Sequence, residues 1–235
     1  MRFHFRTLIL PLLLTAIACG GEETEDAAAD VTGDIAASTD VAVAGEPAWV
    51  LELEEGQASA RYRVREQLVN LDLPNDAVGE TGAVTGRVVL DAEGNVVPGE
   101  SRVTVDVSGL RSDRDRRDGY VRRRLLNAEE YPTVELRPTA VRGLPVPLPT
   151  SGSHTFEVDG DLTVLDVTRT TTWEVTAQFD GQEVEGTAAT RFAFDDFDLD
   201  QPQVSVVLSV ADTIGLELDF RVRSQAWGAS GGGGD

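Results

Sequence analysis

The chain has 235 residues, of which 41% are hydrophobic, so it can bury a substantial core. Its 41 acidic residues against 20 basic ones give a formal net charge of -21, which argues against nucleic acid as the main partner, because phosphate binding needs a broad positive surface. Every basic residue is Arg, and the only Cys is Cys19, so lysine chemistry is excluded, as are a disulfide and a Cys-containing metal cluster in the folded part.

The first 18 residues have the pattern of a signal peptide. Arg2 and Arg6 precede an apolar run from Leu8 to Ile17, and small residues lead to Cys19. This pattern resembles a bacterial lipobox, which implies cleavage before Cys19 and lipid attachment to its side chain. The alternative is an ordinary secretory signal in which Cys19 is incidental. No later stretch reaches the ~18 apolar residues of a membrane span, so we expect a lipid anchor to hold the protein outside the cytoplasm, in the periplasm or on the outer surface.

Two further segments have compositions typical of disorder. Residues 19–48 carry eight acidic residues and no basic ones, and residues 225–235 contain a run of four glycines. Neither segment can bury enough apolar surface to order itself. We therefore predict an acidic linker over 19–48, one folded domain over 49–224 and a Gly-rich tail over 225–235.

Within the predicted domain, apolar and polar residues alternate almost everywhere. Val103, Val105 and Val107, for example, alternate with Arg102, Thr104 and Asp106. The same period covers residues 60–64, 156–164, 173–179, 188–194, 204–210 and 214–222, with turn residues such as Asp180-Gly181 between them. A period of two is typical of half-buried strands. Many such strands with short connections predict an antiparallel sheet, closed as a barrel or folded as a sandwich.

Residues 111–132 depart from this pattern. Seven Arg and three Asp lie between Arg111 and Arg124, a local balance of +4 in an acidic chain. We predict one helix over Asp115–Glu130, with Tyr120, Leu125 and Leu126 on one face. Tyr131-Pro132 then forces the chain back to an extended conformation. The helix is expected to lie across one end of the barrel.

Several motifs of the chain resemble those of the YceI-like domain family. They are Arg116-Arg117-Asp118-Gly119-Tyr120, Leu125, Tyr131-Pro132-Thr133 before Val134–Arg137, Gly160-Asp161-Leu162-Thr163, Val167-Thr168-Arg169 and Trp173-Glu174-Val175, with residues 60–73 as the opening strand. The resemblance covers about Trp49 to Arg223. It implies an all-β fold, an antiparallel eight-stranded lipocalin-like barrel with one short helical insertion. It also implies an apolar cavity, in which some members bind a polyisoprenoid or an isoprenoid quinone.

Two loops depart from the family's pattern. Asp166 stands where the family usually has Gly, with Thr170 in place of a Pro, and Asp198 replaces another Gly. Asp tolerates left-handed backbone geometry better than most residues, so we expect the Asp166 turn to form. The changes affect the loops at the cavity mouth more than the barrel.

Eleven inward-facing residues form the predicted ligand-binding lining. They are Tyr62, Val64, Val105, Phe156, Leu162, Trp173, Val175, Phe192, Phe194, Leu216 and Leu218. An eight-stranded barrel is just wide enough to be filled by side chains or to hold one small ligand, and composition alone favours packing. The resemblance implies a ligand tunnel instead, in which apolar burial at about 25 cal/mol per Å² would hold a polyprenyl chain.

The predicted head-group or mouth residues are Arg117, Tyr120, Arg122, Arg123 and Arg124. Guanidinium groups bind phosphate oxygens bidentately, so these arginines would pair a diphosphate head group or steer the mouth toward anionic lipid. The alternative is a solvated helix whose arginines pair with nearby carboxylates. Arg117-Asp118 lies where the family pattern retains such a pair, which favours a structural role for it.

The sequence therefore predicts a lipid-anchored extracytoplasmic protein that binds an apolar isoprenoid-like ligand, without catalysis, cofactor or metal; it specifies no oligomeric state. The alternative is an interaction module, a packed barrel whose loops or Arg111–Arg124 helix contact another envelope protein. An enzyme using carboxylates at the mouth is a third class. No G-x-S-x-G motif accompanies His154, and Asp195-Asp196 is typical of a solvated turn.

Overall fold

The computed structural model describes residues 45–226. Its strands are β1 (Pro47–Leu53), β2 (Ala58–Leu68), β3 (Asn75–Thr81), β4 (Val84–Asp91), β5 (Arg102–Asp106), β6 (Arg111–Ser112), β7 (Thr133–Arg142), β8 (Ser151–Val164), β9 (Val167–Asp180), β10 (Glu183–Ala193) and β11 (Val207–Ala226). One α-helix, α1 (Asp115–Tyr120), continues into a π-helical turn (Val121–Leu125), and a 3₁₀ turn covers Phe194–Phe197. The predicted signal peptide, Cys19 and most of the predicted linker and tail lie outside the described residues.

The strands close into an antiparallel barrel. β1 and β2 both pair with β11, with Leu51 opposite Ser224 and Ala58 opposite Phe220, so they act as one long bent strand. β3 and β4 pair with β2 and β1 in the same way. Together with β5 and β7 to β11, these two long strands give eight, and the β1–β11 pairing closes the ring. The predicted eight-stranded barrel is confirmed, and the sandwich alternative is wrong.

The predicted alternation places the apolar side chains inside the barrel. In β9, Trp173, Val175, Ala177 and Phe179 are buried, and the residues between them are exposed. Phe179 pairs with Val184, which pairs with Val222, and these side chains fill one end of the barrel with a dense core. The opposite end carries residues 107–132 and the connection from β10 to β11.

The helical insertion is shorter than predicted. Instead of one helix over Asp115–Glu130, the chain forms α1 followed by the π-helical turn. In this turn the Leu126 amide donates a hydrogen bond to the Val121 carbonyl at 2.8 Å. Asn127 has a φ of 41°, and its carbonyl accepts hydrogen bonds from the amides of Glu130 and Tyr131. A residue in the left-handed conformation ends a helix. The helical segment therefore stops at Leu125, five residues before the predicted end at Glu130.

Three loop details differ from the sequence expectations. In the β8–β9 hairpin the left-handed residue is Leu165, with a φ of 57°, rather than Asp166. Asp198 does take this conformation, with a φ of 52°. The two strands predicted over 204–210 and 214–222 are one strand, β11, which starts at Val207 and has an irregularity between Val210 and Ile214. None of the helices within residues 45–226 is long and apolar enough to cross a membrane.

Candidate functional site

A cavity of about 880 Å³ lies inside the barrel at the end that carries α1. Its wall includes the exposed side chains of Arg114, Arg116 and Val206, so the cavity opens to solvent at this end. The volume lies in the range of ligand pockets, about 300–1,000 Å³. The barrel is therefore filled at one end and hollow at the other.

Nine of the eleven predicted lining residues lie on the cavity wall. They are Tyr62, Val64, Val105, Leu162, Trp173, Phe192, Phe194, Leu216 and Leu218. Phe156 and Val175 do not reach it. They pair with each other across β8 and β9 and pack with the core of the barrel. Further apolar wall residues are Val103, Val134, Leu136, Val164 and Ile214.

The predicted mouth residues divide into two groups. Arg117 and Tyr120 line the cavity, whereas Arg122, Arg123 and Arg124 do not. Val121 is buried and Leu125 lines the cavity, so the π-helical turn directs the three arginines between them away from the opening. The Arg122 guanidinium donates instead to the Ser108 carbonyl at 3.3 Å. Arg114 and Arg116, which were not predicted as mouth residues, line the cavity in their place.

A buried ion pair stands at the polar end of the cavity. The Arg117 Nη2 atom donates to Glu66 Oε1 at 2.5 Å, and Arg117 also pairs with Asp113. Burial alone would lower the pKa of Arg117, but its hydrogen bonds to these two carboxylates outweigh that effect and raise the pKa. Arg117 is thus a charged, fully engaged group that ties α1 to β2.

Arg117 and Asp118 do not pair with each other. The buried Asp118 carboxylate accepts hydrogen bonds from the Ser112 amide at 2.8 Å and the Ser112 hydroxyl at 2.6 Å, which joins α1 to β6. Each of the two residues therefore fixes α1 over the barrel end through a different strand.

Glu66 is a site residue that the sequence analysis missed. It follows Ala60, Tyr62 and Val64 at the inward-facing positions of β2, and its exposed fraction is 7%. Burying a carboxylate is costly unless it is paired. An acidic residue at an inward-facing position of a strand therefore indicates a buried partner of opposite charge.

Tyr62 lies beside this ion pair on the cavity wall. Its ring packs against Gly79, because a Cβ atom added at Gly79 would lie 2.2 Å from Tyr62 Cε1. Burial raises the pKa of Tyr62 to about 12, and the nearby carboxylates of Asp118 and Glu66 add to this effect against the opposing charge of Arg117. Within residues 45–226 its hydroxyl makes no hydrogen bond, so a residue of the cavity wall carries a neutral phenol that is free to donate.

The residues considered for catalysis lie apart from the cavity. His154 is at the filled end on β8, where its ring contacts Phe179 edge to face with centroids 5.6 Å apart and Nε2 lies 3.1 Å from the Ser151 carbonyl oxygen. The Asp196 carboxylate accepts from the Ala193 amide at 2.7 Å and caps the 3₁₀ turn. In the part of the chain that the structure describes, no three or more His, Cys, Asp or Glu residues are grouped to hold a metal ion.

Three solved structures share this fold at low sequence identity. A polyisoprenoid-binding domain from Saccharophagus degradans, implicated in plant cell wall breakdown, matches with a TM-score of 0.58 and 10% identity, covering 76% of this chain and 99% of that one. BcnA of Burkholderia cenocepacia matches with a TM-score of 0.54 and 16% identity, covering 72% and 98%. The YceI protein of Campylobacter jejuni matches with a TM-score of 0.52 and 14% identity, covering 67% and 90%.

Sequence comparison assigns the family. No curated protein matches the chain. The model of the YceI-like domain, however, matches residues 51–222, which cover the helical insertion and the barrel strands except the start of β1 and the end of β11. This chain therefore belongs to the YceI-like domain family.

Proposed function

We propose that the protein binds an apolar, isoprenoid-like ligand, a polyprenyl chain or an isoprenoid quinone, inside its barrel and carries out no chemistry on it. The observation that supports this most strongly is the cavity of about 880 Å³ with its aliphatic and aromatic wall. Membership of the YceI-like family supports a lipid-binding role, and that family is not known as enzymatic. A packed barrel acting only through its loops would have no need of such a cavity.

Apolar burial supplies the driving force in this proposal. A flexible chain that buries roughly 400 Å² of apolar surface gains about 10 kcal/mol, before the cost of immobilising it is subtracted. Few polar contacts are needed for such a ligand. This matches a wall formed mainly by aliphatic and aromatic residues, with Tyr62, Glu66 and Arg117 among its polar members.

The polar end favours an uncharged head group. The charge of Arg117 is already balanced by Glu66 and Asp113, Arg114 and Arg116 are exposed to solvent at the mouth, and Arg122, Arg123 and Arg124 lie off the cavity wall. Tyr62 offers a neutral hydroxyl that can donate to a carbonyl or hydroxyl oxygen. A quinone or an isoprenoid alcohol therefore fits this end better than a diphosphate.

We also propose that a lipid on Cys19 anchors the protein outside the cytoplasm. The support is the charged, apolar and small-residue pattern that ends at the only Cys of the chain. Cys19→Ala should move the protein from the membrane fraction to the soluble fraction after a high-salt wash, which screens purely electrostatic binding. Equal retention of the variant and the wild type in salt-washed membranes would contradict the anchor.

The binding proposal is tested by the lipid content of the native protein. The full chain is purified from a native membrane background and extracted with organic solvent, and the extract is analysed by mass spectrometry. We expect an isoprenoid compound at near-stoichiometric amounts. An extract without lipid, together with no binding of added quinone or polyprenol, would overturn the proposal.

A further inference from the structure

Exposed apolar side chains are concentrated at the mouth of the cavity. Six of the seven large hydrophobic residues exposed within residues 45–226 lie on two neighbouring segments, with exposed fractions from 37% to 76%. These six residues, here called the apolar rim, are Val69, Leu71, Leu73, Val204, Val206 and Leu208. The seventh, Val146, lies in the β7–β8 connection at the other end of the barrel.

The two segments form one surface. The Val69 amide donates to the Val206 carbonyl at 3.1 Å, and Leu68 pairs with Val207 at the ends of β2 and β11. Val69, Val204 and Val206 also line the cavity. The apolar rim is therefore continuous with the cavity wall, and such contiguous exposed patches mark sites of protein or membrane interaction.

The two segments of the rim are almost uncharged. Residues 201–210 carry no charge, and the β2–β3 loop, residues 69–74, carries only Asp72. Arg114, Asp115 and Arg116 stand on the cavity wall at this end, and Asp195, Asp196, Asp198 and Asp200 precede the rim in the β10–β11 connection, so the charges beside the rim are of both signs. An almost uncharged surface of Val and Leu, with charged residues beside it, suits the boundary between the acyl chains and the head groups of a bilayer.

We propose that the mouth of the barrel docks reversibly on a lipid bilayer, with the apolar rim inserted among the acyl chains. The rim consists of Val and Leu alone, whereas energetically dominant sites of protein interfaces are enriched in Trp, Tyr and Arg. Docking in this orientation places the cavity opening against the hydrocarbon, so that an apolar ligand passes between bilayer and barrel without crossing water. The transfer of a ligand between bilayer and barrel rests on the proposed function. The docking itself rests only on the exposed apolar side chains of the rim and on the charges around them.

A fluorescent probe at the rim tests this proposal. The full chain carrying Cys19→Ala receives a single Leu73→Cys substitution and an environment-sensitive fluorophore; its matched control carries Val146→Cys instead. With vesicles of phosphatidylglycerol and phosphatidylethanolamine, the emission at position 73 should shift to shorter wavelength, and that at position 146 should not. Attachment through residues 1–44 alone would not distinguish the two positions. No shift, or equal shifts at both positions, would overturn the proposal. A position-73 probe already blue-shifted before vesicles are added would overturn it too, since a second copy or the chain's own N-terminal segment would then cover the rim.

The arginines give a second, independent readout. Arg114→Gln together with Arg116→Gln should weaken binding to the anionic vesicles on the order of 30-fold, because each arginine near such a surface contributes about 1 kcal/mol. Arg221→Gln with Arg223→Gln at the opposite end is the control and should leave binding unchanged. Equal losses in both pairs would contradict the docked orientation. Neither readout requires bound ligand, and the extraction test of the proposed function requires no vesicles, so the two proposals fail separately.

Discussion

The Arg117 guanidinium and the Glu66 carboxylate join the insertion to the barrel wall, with Nη2 and Oε1 2.5 Å apart. Their side chains are only 11% and 8% exposed. The pair links α1 to β2 at the polar end of the cavity, next to Tyr62. Its geometry determines both how the insertion lies over the opening and how much charge a ligand meets there.

Removing one partner of this pair should be costly. We expect Glu66→Ala to lower the free energy of unfolding by about 3 kcal/mol, because Arg117 keeps its charge and loses its buried partner. Arg65→Gln, which removes an exposed pair with Asp76 at 3.0 Å, should cost less than about 1 kcal/mol. Urea unfolding measures both. The double variant Glu66→Leu, Arg117→Leu should recover most of the loss; equal instability of the single and double variants would contradict the pairing.

The Tyr62 hydroxyl should titrate well above the ordinary pH range of a tyrosine. Its pKa is raised to about 12 from 10.0, so the folded protein holds this proton while the unfolded chain loses it. The unfolded state then binds fewer protons, and the free energy of unfolding should fall as the pH rises from about 10 to about 12. Phenolate absorbance should show a step near pH 12 that is absent in Tyr62→Phe and present in Tyr131→Phe. A complete titration near pH 10 in the folded wild type would contradict the buried phenol.

Gly79 provides the space in which the Tyr62 ring lies. In Gly79→Ala the new Cβ would clash with Cε1 at 2.2 Å, so the ring has to move, at a cost of about 1–3 kcal/mol. We expect weaker ligand binding and a Tyr62 pKa closer to 10. Gly82→Ala is the matched control on the same bent strand, since its nearest neighbour would be the Ala58 carbonyl oxygen at 3.8 Å. Titration and ligand binding that are equal in both variants would contradict this packing.

Asp91 should matter for stability but not for binding. Its buried carboxylate, at the filled end of the barrel, accepts hydrogen bonds from the amides of Gly45, Glu93 and Asn95. Burial raises its pKa, but these bonds outweigh burial and lower it, so its stabilisation should be lost as the pH falls below about 4. Asp91→Ala should lower the free energy of unfolding at pH 7 by about 2 kcal/mol. Bound lipid per folded protein should stay at the wild-type level, and a loss of lipid would show that the two ends of the barrel are coupled.

The barrel was predictable because strand alternation is a local property of the sequence. Each inward-facing residue of β9 could be assigned from its neighbours in the sequence alone. The family motifs then predicted that the sheet closes into a barrel. Which end is filled was not predictable in this way. Phe156 and Val175 alternate just as Trp173 does, yet they belong to the dense end, since cavity position depends on how side chains from eight strands meet.

The polar residues at the mouth were harder to assign for two different reasons. Arg117 and Arg122 to Arg124 have the same charge, and only the π-helical turn, which propensity does not reveal, separates those at the cavity from those facing away. Glu66 could have been predicted as a buried charge, because it interrupts a series of inward-facing apolar residues on β2. Its partner Arg117 could not have been predicted, since the two residues are 51 positions apart in the sequence.

Filling the cavity should prevent a ligand from binding inside the barrel. Val105 lines the cavity, and Thr104 lies beside it on the outward face of β5, so Val105→Trp and Thr104→Trp add the same bulk to opposite sides of one strand. Binding of an isoprenoid quinone is measured by titration of delipidated protein, with circular dichroism as the check of folding. We expect Val105→Trp to abolish binding and Thr104→Trp to retain it. Wild-type affinity in a folded Val105→Trp protein would contradict ligand binding inside the barrel.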